Sequence, residues 1–130
     1  QISGEVQFGF YNILAAQPHV GSARLKAIAV TSASRASAVP NVPTLDEAGV
    51  AGYEATSWNG IFAPAKTPRA VIDKLHADIV KVLNAPDVRE KLIAVGSDPV
   101  GSTPEEFQGF VKRELARWGQ VIRDNNIRGE

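Results

Sequence analysis

Arg24 to Pro68 reads RLKAIAVTSASRASAVPNVPTLDEAGVAGYEATSWNGIFAPAKTP. It opens on Leu25-Lys26-Ala27-Ile28-Ala29-Val30, a short apolar run bounded like a buried strand. A Ser/Ala-rich loop carrying Arg35 follows. Pro40-Asn41-Val42-Pro43 keeps the next residues extended, because positions before proline avoid helical dihedrals. Val42 to Gly49 reads as one short helix, with Thr44 and Glu47 spaced as a capping box and Gly49 as its stop. Tyr53 to Phe62 then reads as extended chain, with Ser57-Trp58-Asn59-Gly60 at its middle.

Before this stretch, Gln1 to Gly4 is polar and turn-like. Glu5 to Tyr11 alternates, with Val6, Phe8 and Phe10 on one face, which predicts a strand. Gly9 inside it points to a bulge or a close approach by another group. Asn12 to Val20 is weakly helical and is expected to break at Pro18. Strand, helix and strand make a βαβ-like unit, which implies parallel strands and a right-handed crossover.

After Pro68 the period changes. Thr67-Pro68 marks a helix start, and Val71, Ile72, Leu75, Ile79, Val82 and Leu83 recur at helical spacing. Pro86 opens a second helix with Gly96 as its stop. Thr103-Pro104-Glu105-Glu106 is a capping box with proline at the first helical position. Phe107, Phe110, Val111, Leu115, Trp118, Val121 and Ile122 then form an apolar stripe ending near Asn125-Asn126. Two or three strands make a thin sheet for so many helices, so the expected architecture is half of a larger two-lobed α/β fold.

The 130 residues make one domain's worth of chain, 44% of it hydrophobic, with 14 basic and 14 acidic side chains. Zero net charge argues against nucleic acid and against a polybasic membrane tether. Without cysteine there is no thiol catalysis, thiolate zinc site or disulfide. No phosphate-binding loop, dinucleotide fingerprint, zinc-protease helix or serine elbow is present. His19 and His76 are far apart and read as solvated or rim residues. Asp46-Glu47 and Glu105-Glu106 read as capping charges rather than as acid/base pairs. No enzyme, metal or cofactor is therefore expected. A chain without methionine that begins at Gln1 is expected to be a processed or partial one.

The order of these pieces resembles the receptor of tripartite tricarboxylate transporters, the Bug-type periplasmic solute-binding proteins. The resemblance rests on Leu25 to Ser32, Arg35, Val42-Pro43-Thr44-Leu45 with Glu47-Ala48-Gly49, Gly52-Tyr53-Glu54, Ser57-Trp58 with Gly60, and Ala63-Pro64 with Thr67-Pro68. It implies a partial type II periplasmic-binding-protein fold of the α/β class. Residues 1–52 would be the later part of the second lobe, 53–66 the interlobe crossing segment, and 67–130 the helices closing the first lobe. It also implies a non-catalytic receptor in the periplasm that hands a small carboxylate to integral membrane transporter subunits.

The family places a cleft-facing loop at the end of the first strand, where ligands bind in open α/β sheets. Phe10 and Asn12 match its pattern. Tyr11 stands where an aspartate is common, and so does Gln7, which favours an anionic or bulkier ligand over a cationic one. Phe10, Tyr11 and Asn12 are thus one candidate ligand-binding group, or simply the turn that ends a strand. Thr31, Ser32 and Arg35 are a second, since two hydroxyls and a guanidinium beyond a strand end suit a carboxylate; the alternative is a solvated loop with Arg35 paired at the surface. Ser57, Trp58, Asn59 and Gly60 read as the hinge, with Trp58 packed there or lining the cleft. Apolar helix faces without a sheet to cover are expected to drive association into a homodimer or higher oligomer, exchange of the C-terminal helices being one route. A truncated module acting only in oligomerisation or protein interaction is the second functional reading.

Overall fold

Four helices supply the regular structure among residues 4–129, the part of the chain described by the computed structural model: α1 (Ile13–Gly21), α2 (Arg69–Leu83), α3 (Pro86–Ala94) and α4 (Pro104–Asp124). The polar start expected at Gln1 to Gly4 lies outside the described residues except for Gly4. Residues 4–62 with 83–99 form one compact unit, and residues 63–82 with 100–129 form another.

The helix limits follow local chemistry. Thr103 accepts the Glu106 N–H at 3.2 Å while the Glu106 carboxylate accepts the Thr103 N–H at 2.8 Å, so the capping box is complete. Pro104 fills the first position, where no intrahelical donor is needed. At the other end Asn126 takes φ 52°. The Asn126 N–H donates to Arg123 O and the Ile127 N–H to Ile122 O, which closes the last turn with left-handed geometry. Gly96, at φ 76°, ends α3 in the same way, through Gly96 N to Ile93 O and Ser97 N to Leu92 O. In α2, ion pairs Arg69–Asp73 (2.6 Å) and Lys74–Asp78 (3.0 Å) span one turn of the polar face.

Three sequence expectations change. Pro18 does not break α1; it lies inside it. The lost N–H costs one helical bond, and the following turn is held by the Ser22 N–H and hydroxyl, both donating to Pro18 O. The helix expected at 42–49 is a single turn. Its capping box is present, with Glu47 N to Thr44 Oγ1 at 3.0 Å and Thr44 N to Glu47 Oε2 at 2.8 Å. The stop follows at once, through Gly49 N to Asp46 O and Val50 N to Leu45 O, with Gly49 at φ 103°. Start and stop signals this close leave room for one turn only.

The strands differ most. Among the described residues there is no β-ladder, only a parallel bridge between Val30 and Thr44. Leu45 N donates to Val30 O at 2.9 Å, and Val30 N to Pro43 O at 2.8 Å. Among the described residues, 5–11 belong to no β-ladder, and Phe8 is 72% and Phe10 69% exposed. The alternation is present without the pairing that would make it a sheet, so the βαβ unit is not formed.

Burial is sparse. Val30, Ala36, Thr44 and Glu114 are the buried side chains among the described residues. The accessible area is 10114 Å². A folded monomer of 13.9 kDa exposes about 6,700 Å².

Candidate functional site

Phe10, Tyr11 and Asn12 lead directly into α1. Asn12 is the N-cap residue, with φ −63° and ψ 139°, and its carbonyl accepts the N–H groups of Ala15 and Ala16. Its side chain makes no cap hydrogen bond. That separates it from the usual capping asparagine, whose amide oxygen is spent on the helix. The Tyr11 ring folds back over Gly9: a Cβ there would lie 2.8 Å from Tyr11 Cε2. The close approach expected at Gly9 is therefore made by Tyr11. Behind the loop, Gly96 packs on Ile13, where an added Cβ would sit 2.8 Å from Ile13 Cβ. The stop of α3 thus fixes the start of α1 and the loop before it.

Thr31, Ser32 and Arg35 follow the bridge residue Val30. The Thr31 carbonyl accepts the Ala55 N–H at 2.9 Å, which ties this loop to the irregular segment 53–62. Ser32 Oγ donates to Ser34 O at 2.7 Å and tightens the loop. Arg35 Nε donates to both oxygens of Glu47, at 2.9 and 3.2 Å, and Nη1 donates to Pro40 O at 3.4 Å. Nη2 has no hydrogen bond to a described residue. The Glu47 carboxyl is held below the usual carboxylate range, first by the Thr44 N–H and then by the Arg35 guanidinium. Glu47 therefore does two jobs: it caps its own turn and orients Arg35.

Sequence reasoning assigned only the cap to Glu47. The pairing across twelve residues of loop carries no periodic signal. The remaining hint was that a box glutamate has a second oxygen to offer. Asp46 likewise accepts the Gly52 N–H at 2.6 Å, and Asp98 accepts the Ser37 N–H at 3.4 Å. These acids brace loops.

Both candidate groups belong to the unit of residues 4–62 with 83–99. No hydrogen bond among the described residues joins one group to the other. Ser57 to Gly60 lies outside any helix or strand, and Trp58 is 38% exposed. In the other unit an open hollow of about 400 Å³ is lined by Thr67, Arg69, Ile72, Glu105 and Gln108, among others. Arg69 there is ion-paired to Asp73 and to Glu105, which leaves little net charge to attract an anion.

The model of the tripartite tricarboxylate transporter family receptor matches residues 2–127. The protein in the tcbD-tcbE intergenic region of a Pseudomonas species is 37% identical over 122 residues, covering 93% of this chain and 36% of that protein. A solved R. palustris protein with adipate superposes with a TM-score of 0.76 at 33% identity, over 94% of this chain and 41% of that one. MatC from Rhodopseudomonas palustris with bound malate gives 0.69 at 32% identity, over 93% and 42%. The chain thus spans about two-fifths of the length of each of these three proteins, and solved neighbours include a periplasmic binding protein, BugD. With a family match along nearly all of its length, the chain belongs to the tripartite tricarboxylate transporter receptor family.

Proposed function

We propose that this chain serves in an extracytoplasmic solute receptor that captures a small carboxylate in the periplasm and passes it to tripartite tricarboxylate-type membrane subunits, without chemistry of its own. The observation that carries the reading is the likeness, at 32–33% identity, to solved proteins holding adipate and malate. In this reading residues 1–52 are the later part of the second lobe, 53–66 cross between lobes, and 67–130 close the first lobe. Ser57, Trp58, Asn59 and Gly60 are the hinge. Phe10, Tyr11, Asn12, Thr31, Ser32 and Arg35 face the ligand.

The chemistry supports the assignment. The Asn12 amide is not spent on its helix. Arg35 is oriented by Glu47 on one edge and retains Nη2, and guanidinium donors suit carboxylates. Tyr11 in place of an acid removes a repulsive charge. A thermal-shift and calorimetric series with adipate, malate and citrate tests the reading, with the chain alone and with the rest of a family receptor supplied. Saturable binding of at least one acid is expected. A ligand at a hundredfold excess over its dissociation constant stabilises by about 2.7 kcal/mol. Absence of binding in every combination would favour the second reading, an interaction module, which the large exposed area supports.

A further inference from the structure

We infer that Asn59-Gly60 is a site of spontaneous covalent modification, at which the Asn59 side chain cyclises onto the Gly60 backbone nitrogen and deamidates to a mixture of aspartate and isoaspartate. The inference does not depend on the receptor reading above.

Cyclisation needs an uncrowded nitrogen. Asn59 is the asparagine of this chain that precedes glycine; Asn12, Asn41, Asn84, Asn125 and Asn126 precede Ile13, Val42, Ala85, Asn126 and Ile127. A Cβ on the following residue obstructs the approach of its nitrogen to the side-chain amide, and glycine has none. It also needs a nitrogen and an amide that are not already engaged. Neither Asn59 nor Gly60 makes a hydrogen bond among the described residues. Asn125 is the contrast, its Nδ2 donating to Val121 O at 2.9 Å. Finally, the backbone must be able to turn. Both residues lie outside any helix, where fixed dihedrals and the N–H ladder would hold the nitrogen away from the side chain. Both are exposed, as is Ile61 beside them, so water reaches the ring once it forms.

The step balances without an oxidant or cofactor. The Gly60 nitrogen gives its proton to solvent base and attacks Cγ of Asn59. The N–Cγ bond forms, the Cγ–Nδ2 bond breaks, and Nδ2 leaves as ammonia with a proton from solvent. Water then opens the five-membered imide. Attack at Cγ leaves aspartate; attack at the main-chain carbonyl leaves isoaspartate, with an added carbon in the backbone between Trp58 and Gly60. Either product carries one new negative charge on a chain whose formal net charge is zero. An acidic form of the protein therefore accumulates with age.

The test incubates the intact chain in mildly alkaline buffer made with water labelled with heavy oxygen. Peptide mass mapping then follows the fragment from Ala36 to Lys66, which holds both Asn41 and Asn59. Conversion at Asn59 is expected at least tenfold faster than at Asn41, with one labelled oxygen gained and isoaspartate among the products. The folded chain should react within tenfold of its rate in unfolding urea, because the fold leaves the site open. Gly60 is not among the glycines with positive φ, so its backbone admits alanine without strain. Gly60→Ala should slow the reaction at least tenfold with the circular-dichroism signal unchanged, and Asn59→Gln should abolish the acidic form. Equal rates at Asn59 and Asn41 would overturn the inference. So would aspartate without isoaspartate, more than tenfold protection in the folded chain, or a Gly60→Ala variant that reacts at the parent rate.

Discussion

Gly96 shows how a single residue far from the candidate ligand loop controls it. Its φ of 76° and its contact with Ile13 both exclude a side chain. Gly96→Ala is expected to cost about 1–2 kcal/mol from the left-handed backbone alone, before the clash is counted. Because Ile13 begins α1, the same change should displace Asn12 and weaken ligand binding. Gly21→Ala, where nothing lies within 4 Å of the added carbon, is the control, and urea unfolding of the two variants makes the comparison. Equal midpoints would refute the packing argument. Glu47 gives a second prediction. Its carboxyl is lowered by the Thr44 N–H and by Arg35, so its contribution to stability is complete above the ordinary glutamate value of about 4.3 and is lost as pH falls through the lower native value. The protection factor of the Thr44 amide should therefore hold from neutral pH to that value and fall below it, and Glu47→Gln should flatten the profile. A Glu47 titration at or above the ordinary value, followed by NMR, would contradict this.

Helix ends are where the sequence was most readable, because their signals are local. Thr103, Pro104 and Glu106 state the start of α4 within four residues, and the structure places the cap on those side chains. Thr103→Ala is expected to destabilise α4 by about 1 kcal/mol, measured by thermal unfolding at neutral pH. Below the lowered range of Glu106, whose carboxyl is held down by the Thr103 N–H and hydroxyl, the difference between variant and parent should shrink. A difference constant with pH would mean that the box contributes nothing beyond the hydroxyl. The strands were readable only as pattern. The alternation of Val6, Phe8 and Phe10 is a property of those residues, whereas a ladder depends on what lies beside them. The short helix at 42–49 erred for a related reason: both end signals were correct, but the distance between them sets the length. The candidate ligand groups were found by resemblance and by residue type. The Arg35–Glu47 contact that orients one of them was invisible because loop geometry, not periodicity, brings the two together. Glu114 carried no sequence reading at all. It is 9% exposed, and it is satisfied within its own helix by Trp118 Nε1 at 3.0 Å and by Arg117, which also lies over the Trp118 ring.

At the scale of the whole molecule, the described residues form four helices, one of them closed by a full capping box, with only four buried side chains, and this combination has a calorimetric consequence. The unfolded chain exposes about 20,000 Å², so a monomer with a complete core would bury about 13,500 Å² and this one buries about three-quarters of that. Heat capacity of unfolding follows buried area, at about 1.6–2.0 kcal/mol/K for 130 residues with an ordinary core. The chain alone should give no more than about 1.2–1.5 kcal/mol/K, and less if the missing burial is mostly apolar, since apolar exposure carries the positive part of the change. The urea m-value should fall in the same proportion, because it scales with the same area. Under the proposed function, both quantities should rise to ordinary values or above when the portion of a family receptor that this chain does not match is supplied, and the midpoint should then depend on its concentration. A full heat capacity in the isolated chain, with a midpoint that shifts with its own concentration, would mean that copies of the chain cover one another. The exposed side chains Phe8 and Ile28 in one unit and Leu115 in the other would then be covered by contacts between copies.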